Sequence, residues 1–366
     1  MTLGSQCGSS GVQARPATQL SIGGASQKPA VNPFSLVDLQ ARQVRYLRIS
    51  VTDRCNFRCT YCMPAAGVPV VPRNDLLSFD EIEQLARIFV QLGISKIRLT
   101  GGEPLVRRDI VQLVERIARI EGVLDLAMTT NGQQLAELAK PLRDAGLHRL
   151  NVSIDTLDPL RFAQVTRQGQ LKDVLRGLDA ADRAGFSHTK INAVMLRGLN
   201  DNEIVDLADF AAQRRYILRY IEYMPIGVDQ HWGPETFLPA ADIRGLLSQQ
   251  YEIEPDPLHK LPGGGPAVYW RGKRRDGRGE TLQFGVISAV SEKFCELCNR
   301  VRLSPTGTLR ECLSTAGALS LRDMLRAGAT QAELSSSIAL ALAGKVDGHR
   351  FDQALQTMES MSAIGG

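Results

Sequence analysis

From Tyr46 to Glu222 the sequence alternates between short β-rich runs and amphipathic helical stretches, and that alternation leaves few folds open. The β-rich runs are Tyr46–Val51, Lys96–Thr100, Leu124–Thr129, Arg149–Ile154, Lys190–Val194 and Ile217–Glu222. Between them lie helical patterns at Phe79–Leu92, Asp109–Ile120, Gln134–Ala145, Leu171–Ala184 and Asp201–Gln213. The first opens on Ser78 as N-cap with Glu81 placed to complete a capping box, and Gly93 stops it. Alternation of this kind implies parallel βαβ units with right-handed crossovers. Six such units suit an incomplete (βα) barrel or an open doubly wound sheet.

The alternation stops after Met224. Pro225, Gly227, Gly233, Pro234 and Gly263-Gly264-Gly265 mark a turn-rich remainder, which places a domain boundary near Pro225. A length of 366 residues also favours two domains over one. Residues 1 to about 41 are rich in Gly, Ser, Ala, Gln and Pro, without helical or strand period, and are expected to be a disordered extension. They lack the apolar h-region of a secretory signal, and they match a transit peptide only weakly. The expected division is therefore 1–41, 42–224 and 225–366.

Seven cysteines are present. Cys55, Cys59 and Cys62 form one tight group, Cys295, Cys298 and Cys312 a second, and Cys7 stands alone in the extension as a bystander. Two triplets do not make a disulfide framework, which needs pairs. Clustered thiols then point to metal in a reducing compartment. That is the cytoplasm, or the mitochondrial matrix if the extension is a transit peptide. With 43 basic and 39 acidic residues the formal net charge is +4, which implies no nucleic-acid partner. No run of about 18 apolar residues offers a membrane span.

Cys55-x3-Cys59-x2-Cys62 falls on a loop directly after the first strand. In a (βα) architecture that is the C-terminal face, where active sites are built. Three thiolates on one short loop can hold a four-iron cluster and leave one iron open; an open coordination position marks a catalytic site. The duller alternative is a zinc knuckle completed by a distant histidine. The second triplet, Cys295-x2-Cys298-x13-Cys312, fits structural zinc or a second cluster equally well on spacing alone. No histidine lies near it: His259 is upstream and His349 downstream.

Cys55-Asn56-Phe57-Arg58-Cys59-Thr60-Tyr61-Cys62 resembles the signature of radical S-adenosylmethionine enzymes. Gly101-Gly102-Glu103-Pro104, directly after the second strand, resembles that superfamily's motif for the S-adenosylmethionine amino group. The resemblance implies an incomplete (βα)6 barrel of the radical S-adenosylmethionine type with a C-terminal cluster-binding domain. The stretch Phe294–Leu303 carries it further, to the GTP 3′,8-cyclase family of molybdenum cofactor biosynthesis. So do Thr129-Thr130-Asn131-Gly132, Asn151-Val152-Ser153-Ile154-Asp155, Gly198-Leu199-Asn200-Asp201 and the terminal Gly365-Gly366. It covers about residues 42 to 366.

This family resemblance implies two 4Fe-4S clusters, on Cys55, Cys59 and Cys62 and on Cys295, Cys298 and Cys312, with S-adenosylmethionine at the first and GTP at the second. It implies that a substrate radical joins the ribose 3′ carbon to C8 of the base, and that a separate synthase turns the product into cyclic pyranopterin monophosphate. The Tyr61 backbone, Gly102, Ser153 and Met224 match the S-adenosylmethionine site. Arg48, Lys96, Arg98, Thr129, Lys190, Arg300 and Arg302 match GTP contacts, and Gly365 and Gly366 match a tail that reaches the active site. A reductant for the first cluster and a homodimer are further expectations from the family.

Some of this has independent support in the residues. The chain has no Gly-x4-Gly-Lys-Ser/Thr loop, so a triphosphate would need side-chain cations. Arg48, Arg98 and Lys190 stand in runs that otherwise read as apolar, where a charge is costly unless paired. Outward snorkelling is the alternative for any one of them. Arg271, Lys273, Arg274, Arg275 and Arg278 read as a solvated hairpin loop between strands at Val268–Trp270 and Thr281–Ile287. His231 and Trp232 read as linker, Gln331–Ala343 as a packing helix, and Asp155 and Glu222 carry no assignment. The competing readings are another radical enzyme with an auxiliary cluster, such as a peptide maturase, and an electron carrier or zinc-dependent binding module.

Overall fold

The computed structural model describes residues 1–2, 36–227, 232–256, 265–349, 351 and 361–364. The chain divides into two units, Met1–Asn32 and Pro33–Gly366. Nearly all of the first lies outside the described residues, as do Gly365, Gly366 and His231, so the account concerns the second unit.

Six strands follow the predicted order almost to the residue: β1 Tyr46–Ser50, β2 Lys96–Thr100, β3 Asp125–Thr130, β4 Arg149–Ser153, β5 Lys190–Met195 and β6 Ile217–Glu222. Each pairs in parallel with the next. Helices cross between them: α1 Phe79–Gln91, α2 Ile110–Ala118, α3 Leu135–Asp144, α4 Pro159–Thr166, α5 Leu171–Arg183 and α6 Ile204–Gln213. The capping box at Ser78 and Glu81 is formed in full. Helix α4 is absent from the sequence reading, although Asp158 as N-cap and Pro159 behind it are a standard start signal.

Strands β1, β2 and β4 alternate. Leu47 and Ile49, Ile97 and Leu99, Leu150 and Val152 are fully buried. The residues between them, on the other face of the pleat, are polar: Tyr46 and Arg48, Lys96 and Arg98, Asn151 and Ser153. One face therefore packs against the helices and the other lines a polar interior.

The remainder of the chain forms α7 Ala240–Ser248, β7 Tyr251–Pro255, β8 Val268–Arg274, β9 Leu282–Ile287, β10 Arg300–Leu303, β11 Thr308–Arg310, β12 Leu319–Ser320, α8 Leu321–Arg326, α9 Gln331–Ala343 and α10 Met361–Ile364. These strands join the same sheet, whose order is β12-β11-β10-β1-β2-β3-β4-β5-β6-β9-β8-β7. Strand β10 lies parallel to β1 and β9 parallel to β6, so residues beyond Pro225 extend both edges of the six-stranded array. The sheet is thus an open barrel rather than a closed one.

The basic run is not a hairpin loop throughout. Strand β8 continues to Arg274, which places Arg271, Lys273 and Arg274 within it. Arg271 pairs with Asp256 at 3.2 Å and Arg274 with Asp209 at 2.7 Å. These ion pairs account for basic residues that the turn signals alone had assigned to solvent. Helix α9 presents Leu334, Ile338 and Leu342 to the core, as its reading as a packing helix requires. Among the described residues no helix is long and apolar enough to cross a membrane.

Helix α5 meets the turn after β3 at Gly177. A Cβ there would lie 2.5 Å from the Gly132 carbonyl oxygen and 3.0 Å from Leu135 Cβ. Gly177→Ala should therefore lower stability by about 1–3 kcal/mol through overpacking. Urea unfolding measures this, and an unchanged midpoint would show that the helix can slide away without cost.

Candidate active site

The polar face of the sheet surrounds a cavity of about 300 Å³. The loop after β1 brings Cys55, Cys59, Tyr61 and Cys62 to its wall, and Gly102, Ser153 and Met224 join them there. Arg48, Lys96, Arg98, Thr129, Lys190, Arg300 and Arg302 line the same cavity. Outward snorkelling is thereby excluded for Arg48, Arg98 and Lys190.

Register explains how the cations meet. Arg302, Arg48 and Arg98 occupy opposed positions on β10, β1 and β2, and Arg300, Tyr46 and Lys96 do so two residues earlier. Directly opposed side chains in a sheet are close neighbours, so the first row stacks three like charges, while the second sets Tyr46 between two cations. Burial pushes the Arg48 guanidinium well below its ordinary range, and Arg302 beside it adds to the shift. Burial, with Arg300 next to it, brings Arg302 down to about 10. Lys190 falls to about 6, chiefly through burial and then through Arg219, Arg149, Arg98 and Lys96. Burial alone would raise the Tyr46 hydroxyl; Arg98, Arg48 and Lys96 outweigh it and bring it to about 7. Such a field suits a polyanion.

Two loops build the thiol end. Gly102 N donates to Thr52 O and Glu103 N to Arg54 O, each at 2.8 Å. A Cβ on Gly102 would sit 2.4 Å from the Arg54 carbonyl oxygen. The glycine is needed for backbone to approach backbone at the entry to the cysteine loop. Glu103 then turns inward and accepts from Leu105 N at 3.0 Å, Thr130 Oγ1 at 2.6 Å and Asn131 N at 2.6 Å. On the other side the Tyr61 hydroxyl donates to Asp155 Oδ2 at 2.7 Å, and Val194 N donates to Asp155 Oδ1 at 2.8 Å. Asp155 thus ties the cysteine loop to β4 and β5. Glu222 has a different duty: it accepts from Ala240 N and Val290 N, both at 2.8 Å, outside the cavity. Trp232 donates to the Tyr223 carbonyl at 2.9 Å, a packing role.

Cys295, Cys298 and Cys312 do not line the cavity themselves; their chain neighbours Phe294 and Leu313 do. Arg300 spans the gap, reaching the cavity while one Nη lies 3.5 Å from Cys298 Sγ. Burial would raise the Cys298 thiol, but Arg300 and Lys345 bring it down to about 6. Cys59 shares a field with Cys62 and Cys55, and its thiol is pushed well up, chiefly by burial. Each triplet supplies three soft donors, which fits an iron–sulfur cluster. Among the described residues no three His, Cys, Asp or Glu side chains are placed to hold a single metal ion. A four-iron cluster spreads its thiolate ligands more widely than one ion does.

The sequence reading missed several residues of this cavity. Arg219, only 6% exposed, donates from Nε to Asn192 Oδ1 at 2.9 Å and lines the wall. It carried the same signal as Arg98, a cation inside an apolar strand. Tyr46, Asn192 and Tyr269 carried none, because no local pattern distinguishes them from packing residues.

The open parallel sheet with a three-thiol loop at its C-terminal face defines a radical S-adenosylmethionine enzyme, and the sequence model of the Radical SAM superfamily matches residues 49–211. The model described as Molybdenum Cofactor Synthesis C matches residues 216–351. A GTP 3′,8-cyclase of Pseudomonas entomophila is 45% identical over 339 residues, 92% of this chain and 99% of its own. One from Moorella thermoacetica is 44% identical over 329 residues, 90% and 99% of the two chains. The chain belongs to the GTP 3′,8-cyclase family. Streptococcus suis SuiB, solved with S-adenosylmethionine bound, shares the fold: TM-score 0.53 at 15% identity, covering 88% of this chain and 78% of that one.

Lys190 yields a pH prediction. Unfolded, it holds its proton to about pH 10.5; folded, it releases it at about 6. Between those values the unfolded state binds more protons, so stability of the nucleotide-free protein rises with pH. Lys190→Met should make that rise shallower in urea titrations across the window, whereas an unchanged slope would place the ammonium in bulk solvent.

Proposed function

We propose that this chain converts GTP to (8S)-3′,8-cyclo-7,8-dihydroguanosine 5′-triphosphate in molybdenum cofactor biosynthesis. The observation that carries this reading is the sharing of one cavity by the Cys55–Cys62 loop and the rows of arginine and lysine. Cys55, Cys59 and Cys62 would hold one 4Fe-4S cluster and Cys295, Cys298 and Cys312 a second. The Tyr61 backbone, Gly102, Ser153 and Met224 would hold S-adenosylmethionine. When bound, these groups supply the one-electron chemistry that removes a ribose hydrogen.

The protein's own part is electrostatic and steric. Arg48, Arg98, Arg300 and Arg302, with Lys96 and Lys190, would neutralise the triphosphate, and their guanidinium groups can grip its oxygens in bidentate fashion. Thr129 would add a hydroxyl contact. The gripped triphosphate fixes where the ribose sits, so a reactive substrate meets its own base and not solvent. Gly365 and Gly366 lie outside the described residues; the proposal gives them the narrow tail that enters the site. We also propose an external reductant for the first cluster, a homodimer, a cytoplasmic or mitochondrial-matrix location, and hand-over of product to cyclic pyranopterin monophosphate synthase. On the same reading residues 42–224 form the S-adenosylmethionine domain and 225–366 the second-cluster and substrate domain.

Anaerobic incubation with GTP, S-adenosylmethionine and dithionite, followed by mass analysis, tests the reaction. The expected products are 5′-deoxyadenosine and the cyclised triphosphate. A protein with Cys55, Cys59 and Cys62 all replaced by Ala should make neither; continued 5′-deoxyadenosine formation would overturn the reading.

The phosphate grip has its own test. Arg300→Ala with Arg302→Ala should weaken GTP far more than guanosine. Each charge-assisted hydrogen bond is worth about 1.5–3 kcal/mol, so losing a pair costs over about a hundredfold. Isothermal titration of both ligands measures the contrast, and equal losses would place these arginines away from the phosphates.

A further inference from the structure

The segment after α9 closes around the second cysteine triplet. Lys345 follows the C-cap Gly344 and is only 3% exposed. Its Nζ donates to the Arg300 carbonyl at 3.0 Å and also to the Glu311 carbonyl. Arg300 lies two residues beyond Cys298, and Glu311 directly precedes Cys312. One ammonium therefore bridges the two backbone stretches that carry these cysteines. The same segment reaches the third: a Cβ on Gly348 would lie 3.5 Å from Cys295 Sγ.

Arg42 holds this arrangement from behind. It is buried and ion-paired to Asp38 at 2.6 Å. Its Nη1 donates to the Cys295 carbonyl at 2.8 Å and the Asp347 carbonyl at 3.1 Å, and Nη2 to the Val346 carbonyl at 2.6 Å. The guanidinium thus fastens the segment beginning at Lys345 to the loop of Cys295.

Carbonyl oxygens solvate an ammonium but do not neutralise it. Among the described residues no carboxylate forms an ion pair with Lys345, and the acidic groups that act on it are the thiols of Cys298 and Cys312. A buried charge is costly without a counter-charge. Three thiolates around an iron–sulfur cluster supply one, and net charge with burial is among the levers that set a cluster's potential.

We propose that Lys345 is a positioning residue of the second cluster: through two carbonyls it fixes the separation of Cys298 and Cys312, and its charge raises the reduction potential of the cluster they hold. This rests on the reading of the second triplet as cluster ligands. That reading fails separately if Cys295→Ala leaves the iron content of the native enzyme unchanged.

The test uses reconstituted holoenzyme with Lys345→Met, Lys345→Gln and Lys345→Arg, read by iron analysis and by electron paramagnetic resonance during a redox titration. Gln can still donate to both carbonyls but carries no charge. In the Gln variant both clusters should assemble, with a tenfold or greater loss of reduced second cluster at fixed potential, a midpoint lower by about 59 mV or more for one electron. The Met variant should lose iron from the second site and keep the first. Arg should restore both iron and midpoint. Loss of the second cluster alone in the Gln variant, restored by Arg, would equally assign the effect to charge. Native iron and midpoint in both Met and Gln variants would overturn the proposal, and so would iron loss from both sites alike, since Lys345 would then merely hold the fold.

Discussion

Repulsion between buried like charges governs the architecture around the cavity. Arg302, Arg48 and Arg98 stand side by side on three adjacent strands, with Arg219 across the barrel on β6. Such a row destabilises the sheet that carries it, and its partial relief comes from within the wall. Asp125 takes Lys96 at 3.1 Å and Arg149 as well, while Asn192 accepts from Arg219. Tyr46 lies under Lys96 and Arg98, its ring centre 5.4 Å and 5.7 Å from them. These contacts hold the cations in place without cancelling them. What remains is a positive field aimed into the cavity, an arrangement suited to a polyanion with little reorganisation.

The rest of the fold supports this wall. Parallel strands are stable only when covered, and here the apolar face is covered by helices and both edges by strands from beyond Pro225. Strand β10 has a second consequence, because it carries Arg300 and Arg302 into register with β1 directly beyond Cys298. The same pairing therefore seals an edge, completes the cation row and sets the second triplet beside the cavity. Glu222 anchors the return of the chain by capping Ala240, Val290 and Ser291 from the end of β6.

Order of elements was legible because it rests on local signals. The capping box at Ser78, the glycines after helices and the period-two strands each act within a few residues, so the six strands and their helices other than α4 emerge from the sequence nearly in place. The cysteine loop and the Gly101-Gly102 turn were legible for the same reason. What local pattern could not carry was pairing. The basic run from Arg271 looked like a solvated loop because its partners, Asp256 and Asp209, lie on other elements. Tyr46 stood only as the first residue of a β-rich run, and pairing with β2 and β10 is what sets it among cations.

The sequence by itself determined the class of the fold, the two thiol triplets, most of the strand-borne cations and the chemistry those residue types can perform. These depend on periodicity, spacing and side-chain type, which survive without any knowledge of contacts. Only the tertiary structure decided that both edges of the open sheet are finished by the C-terminal strands, and that Arg48, Arg98 and Lys190 face inward together. It alone joined Asp155 to Tyr61 and set Lys345 across the segments of Cys298 and Cys312. Those outcomes depend on strand order and register between residues far apart in the chain. A strand's own alternation shows which residues share a face, but it cannot show which strand comes to lie alongside.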